Sequence, residues 1–131
     1  MKALNPAAWP RPKGYSNGIE AQGRMVFVAG MIGWDVEGRF ETGLVAQFRK
    51  TLENTLAVLA EAGAGPANIV RMTWFIKDLQ DYRENLGAIG AAYREVLGKS
   101  FPAMAVVGIN DLVETEALIE IETTAVVEAS E

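Results

Sequence analysis

Few side chains in this sequence can do chemistry, and Glu120 stands out among them. It lies in the run Ile119-Glu120-Ile121-Glu122, where carboxylates alternate with isoleucines. In an extended strand that alternation puts both carboxylates on one face and both isoleucines on the other. A carboxylate held mid-strand on a partly covered face can orient a water molecule and pass a proton. The same position also suits a solvated or ion-paired strand carboxylate, with Arg71 as a partner. Glu122 shares the face and fits the pairing role better.

What is missing narrows the chemistry further. The chain has no histidine and no cysteine. That excludes Ser-His-Asp catalysis, imidazole acid–base work, thiolate nucleophiles, disulfides and ordinary zinc sites. A hard cation held by oxygens is chemically open, but no carboxylate cluster has suitable spacing, so no metal is expected. Any reaction must run on carboxylates, hydroxyls, backbone groups or bound water.

The elements that position these groups can be read from periodicity. The 131 residues, 50% hydrophobic and 22% charged, fit one globular domain over 1–131. Residues 1–14 carry Pro6, Pro10, Pro12 and Gly14 and are expected to form an irregular arm. A short strand can follow over 15–20, then a buried strand from Met25 to Met31. Asp35 to Gly38 reads as a turn leading to a short extended piece near Arg39-Phe40. Val45, Phe48, Leu52, Leu56 and Leu59 recur at helical spacing and predict a helix from about Val45 to Ala62. Thr42 is its expected N-cap and Gly63 its C′ residue. Ile69 to Lys77 is a strand with Val70, Met72, Trp74 and Ile76 on one face, so Trp74 reads as core. A second helix is expected over 80–97, capped by Asp78 or Asp81, with Tyr82, Leu86, Ile89, Tyr93 and Val96 as its apolar stripe. Strands then run over Phe101–Ile109 and Glu116–Val127.

The order predicts an α+β fold, a single sheet with two helices on one face. By strand alternation the uncovered face carries Phe75, Met104 and Val106 beside Arg71, Glu120 and Glu122. A mixed apolar and charged face is costly to leave wet and costly to bury unpaired. A homo-oligomer in which these faces meet is therefore expected.

Several collinear stretches resemble one family. They are Gly14-Tyr15-Ser16, Val28-Ala-Gly-Met-Ile32, Gln47 with Leu52-Glu-Asn54, and Leu59-Ala-Glu-Ala-Gly63. Ile69-Val-Arg-Met-Thr73, Phe75-Ile-Lys-Asp78, Phe101-Pro-Ala103 and Leu112-Val113 follow, with Ile119-Glu-Ile-Glu122 and Ala125. None is specific alone; together, over about 14–127, they resemble the RidA/YjgF family, also called endoribonuclease L-PSP or translation-initiation-inhibitor proteins.

The resemblance implies a chorismate-mutase-like fold and a homotrimer with a central β-barrel and small-molecule pockets at the subunit interfaces. It implies hydrolysis of reactive 2-imino or enamine acids to 2-oxo acids and ammonia, with no cofactor. In active members an arginine binds the substrate carboxylate, a glutamate and backbone groups position the water, and a tyrosine and a serine line the pocket. Carried over, the glutamate falls on Glu120, the tyrosine on Tyr15 and the pocket's backbone glycine on Gly30. The serine before that glycine is Ala29 here, and the asparagine of the second helix is Gly90. The arginine after Pro102-Ala103 is replaced by Met104, and the cysteine two residues on by Val106.

Met104 cannot hold a carboxylate. It is either a core methionine or part of a pocket re-specified for a neutral or more apolar ligand. Arg71 and Arg24 are the candidates for a compensating cation. Tyr15 can line the pocket or merely pack. Trp34 can stack on a flat ligand at the mouth or cover the core as a loop aromatic.

Two functions follow. One is a deaminase-like hydrolase of a small imine, enamine or amide-like compound, with Glu120 orienting water and Tyr15, Gly30, Ala103, Met104, Val106, Trp34 and Arg71 around the ligand. The other is a non-catalytic small-molecule-binding or sensing trimer. RNA cleavage follows only from the family's older name; the net charge of −5 and the missing histidine argue against it, and nucleic acid is not an expected partner. No apolar run has leader or membrane-spanning length, so neither a membrane partner nor export is expected, and the location reads as cytoplasmic.

Overall fold

The computed structural model describes residues 1–129. Its strands are β1 (Lys2–Ala3), β2 (Ile19–Glu20), β3 (Arg24–Met31), β4 (Ile69–Ile76), β5 (Ala103–Gly108) and β6 (Ile119–Val127). Its helices are α1 (Leu44–Glu61), α2 (Leu79–Glu84) and α3 (Leu86–Leu97), with a 3-10 turn at Pro66–Asn68. The main sheet runs β3-β6-β4-β5; all neighbours are antiparallel except β4 and β5. The expected α+β class holds. The arm is not wholly irregular, because Lys2–Ala3 pairs with Ile19–Glu20.

Helix α1 forms where the apolar stripe repeats at three and four, and it buries Leu44, Phe48, Leu52 and Leu59 against the sheet. Thr42 is not its cap. Gly43 takes that place with φ of 89° and no side-chain cap bond, a conformation open to glycine, so the helix begins at Leu44. Gly63 follows the helix with φ of 69°, as the C′ reading requires.

The helix expected over 80–97 is two helices. Asp78 caps α2, its side chain accepting from the backbone N–H groups of Gln80 and Asp81. The break falls at Asn85, whose amide donates to the Asp81 carbonyl (2.7 Å) and to Asp81 Oδ1 (2.9 Å). A short polar side chain that bonds the preceding turn competes with helix continuation. One consequence is that Leu86, expected in the buried stripe, is exposed.

Two strand readings are corrected by non-local pairing. The β4–β6 register shifts between Ile69 and Arg71. Ile69 therefore points inward with Met72, while Val70 is only partly covered. The larger correction concerns β5. It pairs in parallel with β4, Met104 beside Met72 and Val106 beside Trp74. Met72 and Trp74 are buried under the helices. Met104 and Val106 therefore lie on the helix-covered face, not on the open one.

The core sits between that face and the helices, around Phe48, Leu52, Met72, Trp74, Ile76, Ile119 and Ile121. Trp74 is 4% exposed, with its ring 4.8 Å from that of Phe48 and 6.1 Å from that of Tyr93. Such aromatic contacts add about 0.5–1.5 kcal/mol each beyond area burial.

Candidate functional site

The open face carries Glu120. It pairs with Phe75 of β4, between the buried Ile119 and Ile121. Its carboxylate leans over β3 at Gly30, where a β-carbon would come within 2.6 Å of Oε2. Strand β3 is irregular there: its register with β6 shifts between Val28 and Met31. A bulge that re-aims backbone beside a side chain is a common device near functional sites. Gly30 and Glu120 are thus brought together.

Arg71 lies on the same open face. It borders a shallow hollow of about 220 Å³ with Phe27, Thr73, Glu122 and Thr124. It pairs with Ala103 across the β4–β5 ladder, so Ala103 sits on this face too. Among the described residues Arg71 makes no ion pair with either glutamate. Phe27, on this face, is 70% exposed.

The opposite face holds a cavity of about 540 Å³ between the sheet and helices α2 and α3. Its floor is Met104, Val106 and Trp74, and its helical wall includes Tyr82, Ile89 and Tyr93. Tyr15 and Lys13 stand at its rim. Ser16 holds that rim in place: its backbone N–H donates to the Pro102 carbonyl at 3.0 Å and its hydroxyl to the Phe101 carbonyl at 2.6 Å. Tyr93 and Phe101 stack at 6.3 Å with an interplanar angle of 7°. Burial raises the Tyr93 phenol above its ordinary range and, less strongly, that of Tyr82. Both hydroxyls stay protonated through neutral pH. The Tyr93 hydroxyl donates to the Ser100 carbonyl. The Trp74 indole N–H is buried and has no acceptor among the described residues.

The candidates therefore fall in two groups. Tyr15, Met104 and Val106 share the cavity; Glu120, Gly30, Arg71 and Ala103 are on the other side of the sheet. Trp34 joins neither. Its ring packs on Phe40 at 5.6 Å, and its carbonyl accepts from Asn54. Arg24 is also remote from the cavity and donates to the Ala62 carbonyl at 3.0 Å.

Sequence reasoning missed Arg94, which lines the cavity from α3. A β-carbon on Gly90 would lie 3.5 Å from its Nη1, so the guanidinium folds back over the glycine. The spacing of four between Gly90 and Arg94 was the available signal.

The sequence matches the family model described as endoribonuclease L-PSP over residues 7–127. The chain belongs to the endoribonuclease L-PSP family. Its RidA/YjgF resemblance holds in relatives and in structure. A RutC-family protein of Pyrococcus abyssi is 37% identical over 88% of this chain and 89% of its own length. A Rid-family protein of unknown function from Yersinia pestis, YyfB, superposes with a TM-score of 0.85 at 33% identity, covering 96% of this chain and 98% of that one. A Dermatophagoides farinae relative named 2-iminobutanoate/2-iminopropanoate deaminase is 30% identical over 91% of each chain. Within this L-PSP chain no helix is long and apolar enough to cross a membrane, among the described residues.

Proposed function

We propose that this chain is a RidA-type hydrolase of small reactive imines or enamines, working at pockets completed by a neighbouring copy of itself. The observation that carries the reading is the division of the candidate residues between the two faces of one sheet. Glu120 and Gly30 form one half; Tyr15, Met104 and Val106 line the other. A single chain keeps the halves apart. A homotrimer, its open faces turned inward as a barrel, brings Glu120 of one copy to the cavity of the next. It also covers Phe27, which is 70% exposed in the single chain, as an apolar surface of this kind requires.

The chemistry needs no cofactor, because an imine carbon is already electrophilic. Glu120 holds a water molecule and accepts its proton as the oxygen bonds to the imine carbon. With the imine protonated, its C=N electron pair moves to nitrogen as the oxygen bonds. Glu120 then returns its proton to the carbinolamine nitrogen. The C–N electrons leave with that nitrogen as the oxygen forms the C=O bond, and the hydroxyl proton departs on the ammonia, leaving a 2-oxo compound and ammonium. An enamine enters the same sequence after protonation at carbon. The D. farinae relative's name supports this reaction class.

Met104 favours a second reading, a ligand-binding or sensing trimer of the same family. It fills the place where the resemblance puts the substrate-binding arginine. Assays of 2-iminopropionate and 2-aminoacrylate hydrolysis, with and without Glu120→Gln, separate the two readings. The hydrolase predicts weak turnover of these three-carbon acids that the variant abolishes. Turnover equal in both proteins rules out the role of Glu120; no turnover of any imine leaves the binding reading. Light scattering on the intact protein tests the assembly, and a monomer at micromolar concentration overturns it.

A further inference from the structure

We infer that Arg94 is the anchor for a ligand carboxylate, and that the cavity takes carboxylic acids with an aromatic or extended apolar body. The inference rests on reading the helix-face cavity as the ligand site. It does not depend on whether that site is catalytic.

Three observations lead to it. First, Arg94 lines the cavity. Arg71 is on the other face of the sheet, and Arg24 is engaged with the end of α1. Second, the Arg94 guanidinium is uncommitted. Its neighbour on α3, Glu95, is taken by Arg49 of α1, and Arg94 has no ion pair among the described residues. Its Nη1 lies over Gly90, 3.5 Å from where a β-carbon would sit, in ordinary van der Waals contact. Lys13 adds a second positive charge at the rim, and among the described residues no acidic one is in the wall. Third, the rest of the wall is apolar and aromatic: Trp74, Ile89, Tyr93, Met104 and Val106. The volume of about 540 Å³ is that of a small-molecule site, roughly 300–1,000 Å³.

The carboxylate position is therefore moved from strand to helix. An anchor on β5 at position 104 would draw the acid to the cavity floor. With Met104 there, the floor offers dispersion contact instead. The charge stands at the rim, and the ligand's apolar body fills the space between. A guanidinium can pair with a carboxylate through two parallel N–H donors, while the aromatic walls reject a body that is short or polar.

Calorimetric titration of the full-length protein with stable probes tests this without turnover. The probes are 3-phenylpropanoate, its uncharged amide and propanoate. The wild-type protein is expected to bind 3-phenylpropanoate about tenfold more tightly than either other probe, as one charge-assisted pair at a rim predicts. Arg94→Gln should bring acid and amide to equal affinity, and Arg94→Lys should restore part of the preference. Far-ultraviolet circular dichroism checks that both variants fold, as exposed helix positions allow. Equal binding of acid and amide by the wild type overturns the inference. So does an unchanged acid preference in Arg94→Gln, or no binding of any probe at millimolar concentration. If binding follows Arg94 while no imine is hydrolysed, the catalytic reading falls and the anchor stands.

Discussion

The Glu120 carboxylate rests against Gly30, with Oε2 2.6 Å from where a β-carbon on that glycine would sit. The contact is with the mobile end of a side chain, so an added methyl group can be accommodated by moving the carboxylate. Gly30→Ala is expected to change stability by only about 0.5 kcal/mol while lowering any imine hydrolysis by roughly tenfold to a hundredfold through misplacement. Denaturant melts and kinetics on the same preparation check it. Full activity with the fold intact would show that the Glu120 position is not used.

Gly33 makes the opposite case. A β-carbon there would meet the backbone of α1, 2.6 Å from the Gln47 carbonyl oxygen and 2.7 Å from its Cα. Backbone cannot swing aside as a side-chain tip does. Gly33→Ala is expected to cost about 1–3 kcal/mol as the bend after β3 and helix α1 are pushed apart. Equilibrium urea unfolding reads this directly, and a stability equal to that of Gly30→Ala would contradict it.

Gln47 ties three segments together from inside α1. Its Nε2 donates to the carbonyls of Glu41 (3.1 Å) and Glu116 (3.0 Å), and its Oε1 accepts from the Leu118 N–H (2.8 Å). The residue is buried. Gln47→Leu keeps the volume and strands these backbone groups, at a cost of roughly 3 kcal/mol. The loop leading into β6 should then exchange its amide protons faster, seen first at Leu118 by hydrogen exchange. Unchanged protection there would mean that water replaces the amide.

Burial of Tyr93 gives a pH dependence with a definite sign. Its phenol is raised above the ordinary value of 10.0, so the folded chain holds that proton more tightly than the unfolded chain. The stabilisation is complete at lower pH and is lost as pH climbs beyond the ordinary phenol value. Tyr82 contributes in the same direction. Unfolding free energies measured from pH 8 upward should fall less steeply in Tyr93→Phe than in the wild type. Parallel profiles would show that this phenol is not responsible.

The period of each element was legible in the sequence, and so were its stronger faces. Over Ile119–Glu122 of β6 charged and apolar residues alternate, so there only one face suits burial, and Glu120 had to lie opposite Ile119 and Ile121. Leu52, Leu59 and Phe48 sit on the buried side of α1 for the same kind of reason. The absence of histidine and cysteine restricted the chemistry before any coordinate was known. Strand β5 carries no such signal. Ala103-Met-Ala-Val-Val-Gly108 is apolar on both faces, so alternation separates its residues into two sets without saying which set meets the helices. That choice was made by pairing with β4, more than twenty positions away in the chain, where Met72 aligns with Met104 and Trp74 with Val106. The pairing put Met104 and Val106 beneath α3, where Arg94 could reach the same cavity, and left Glu120 on the far side of the sheet. Local patterning sets which residues share a face; only the register of distant strands, decided by the packing of the whole core, sets which face shares a site.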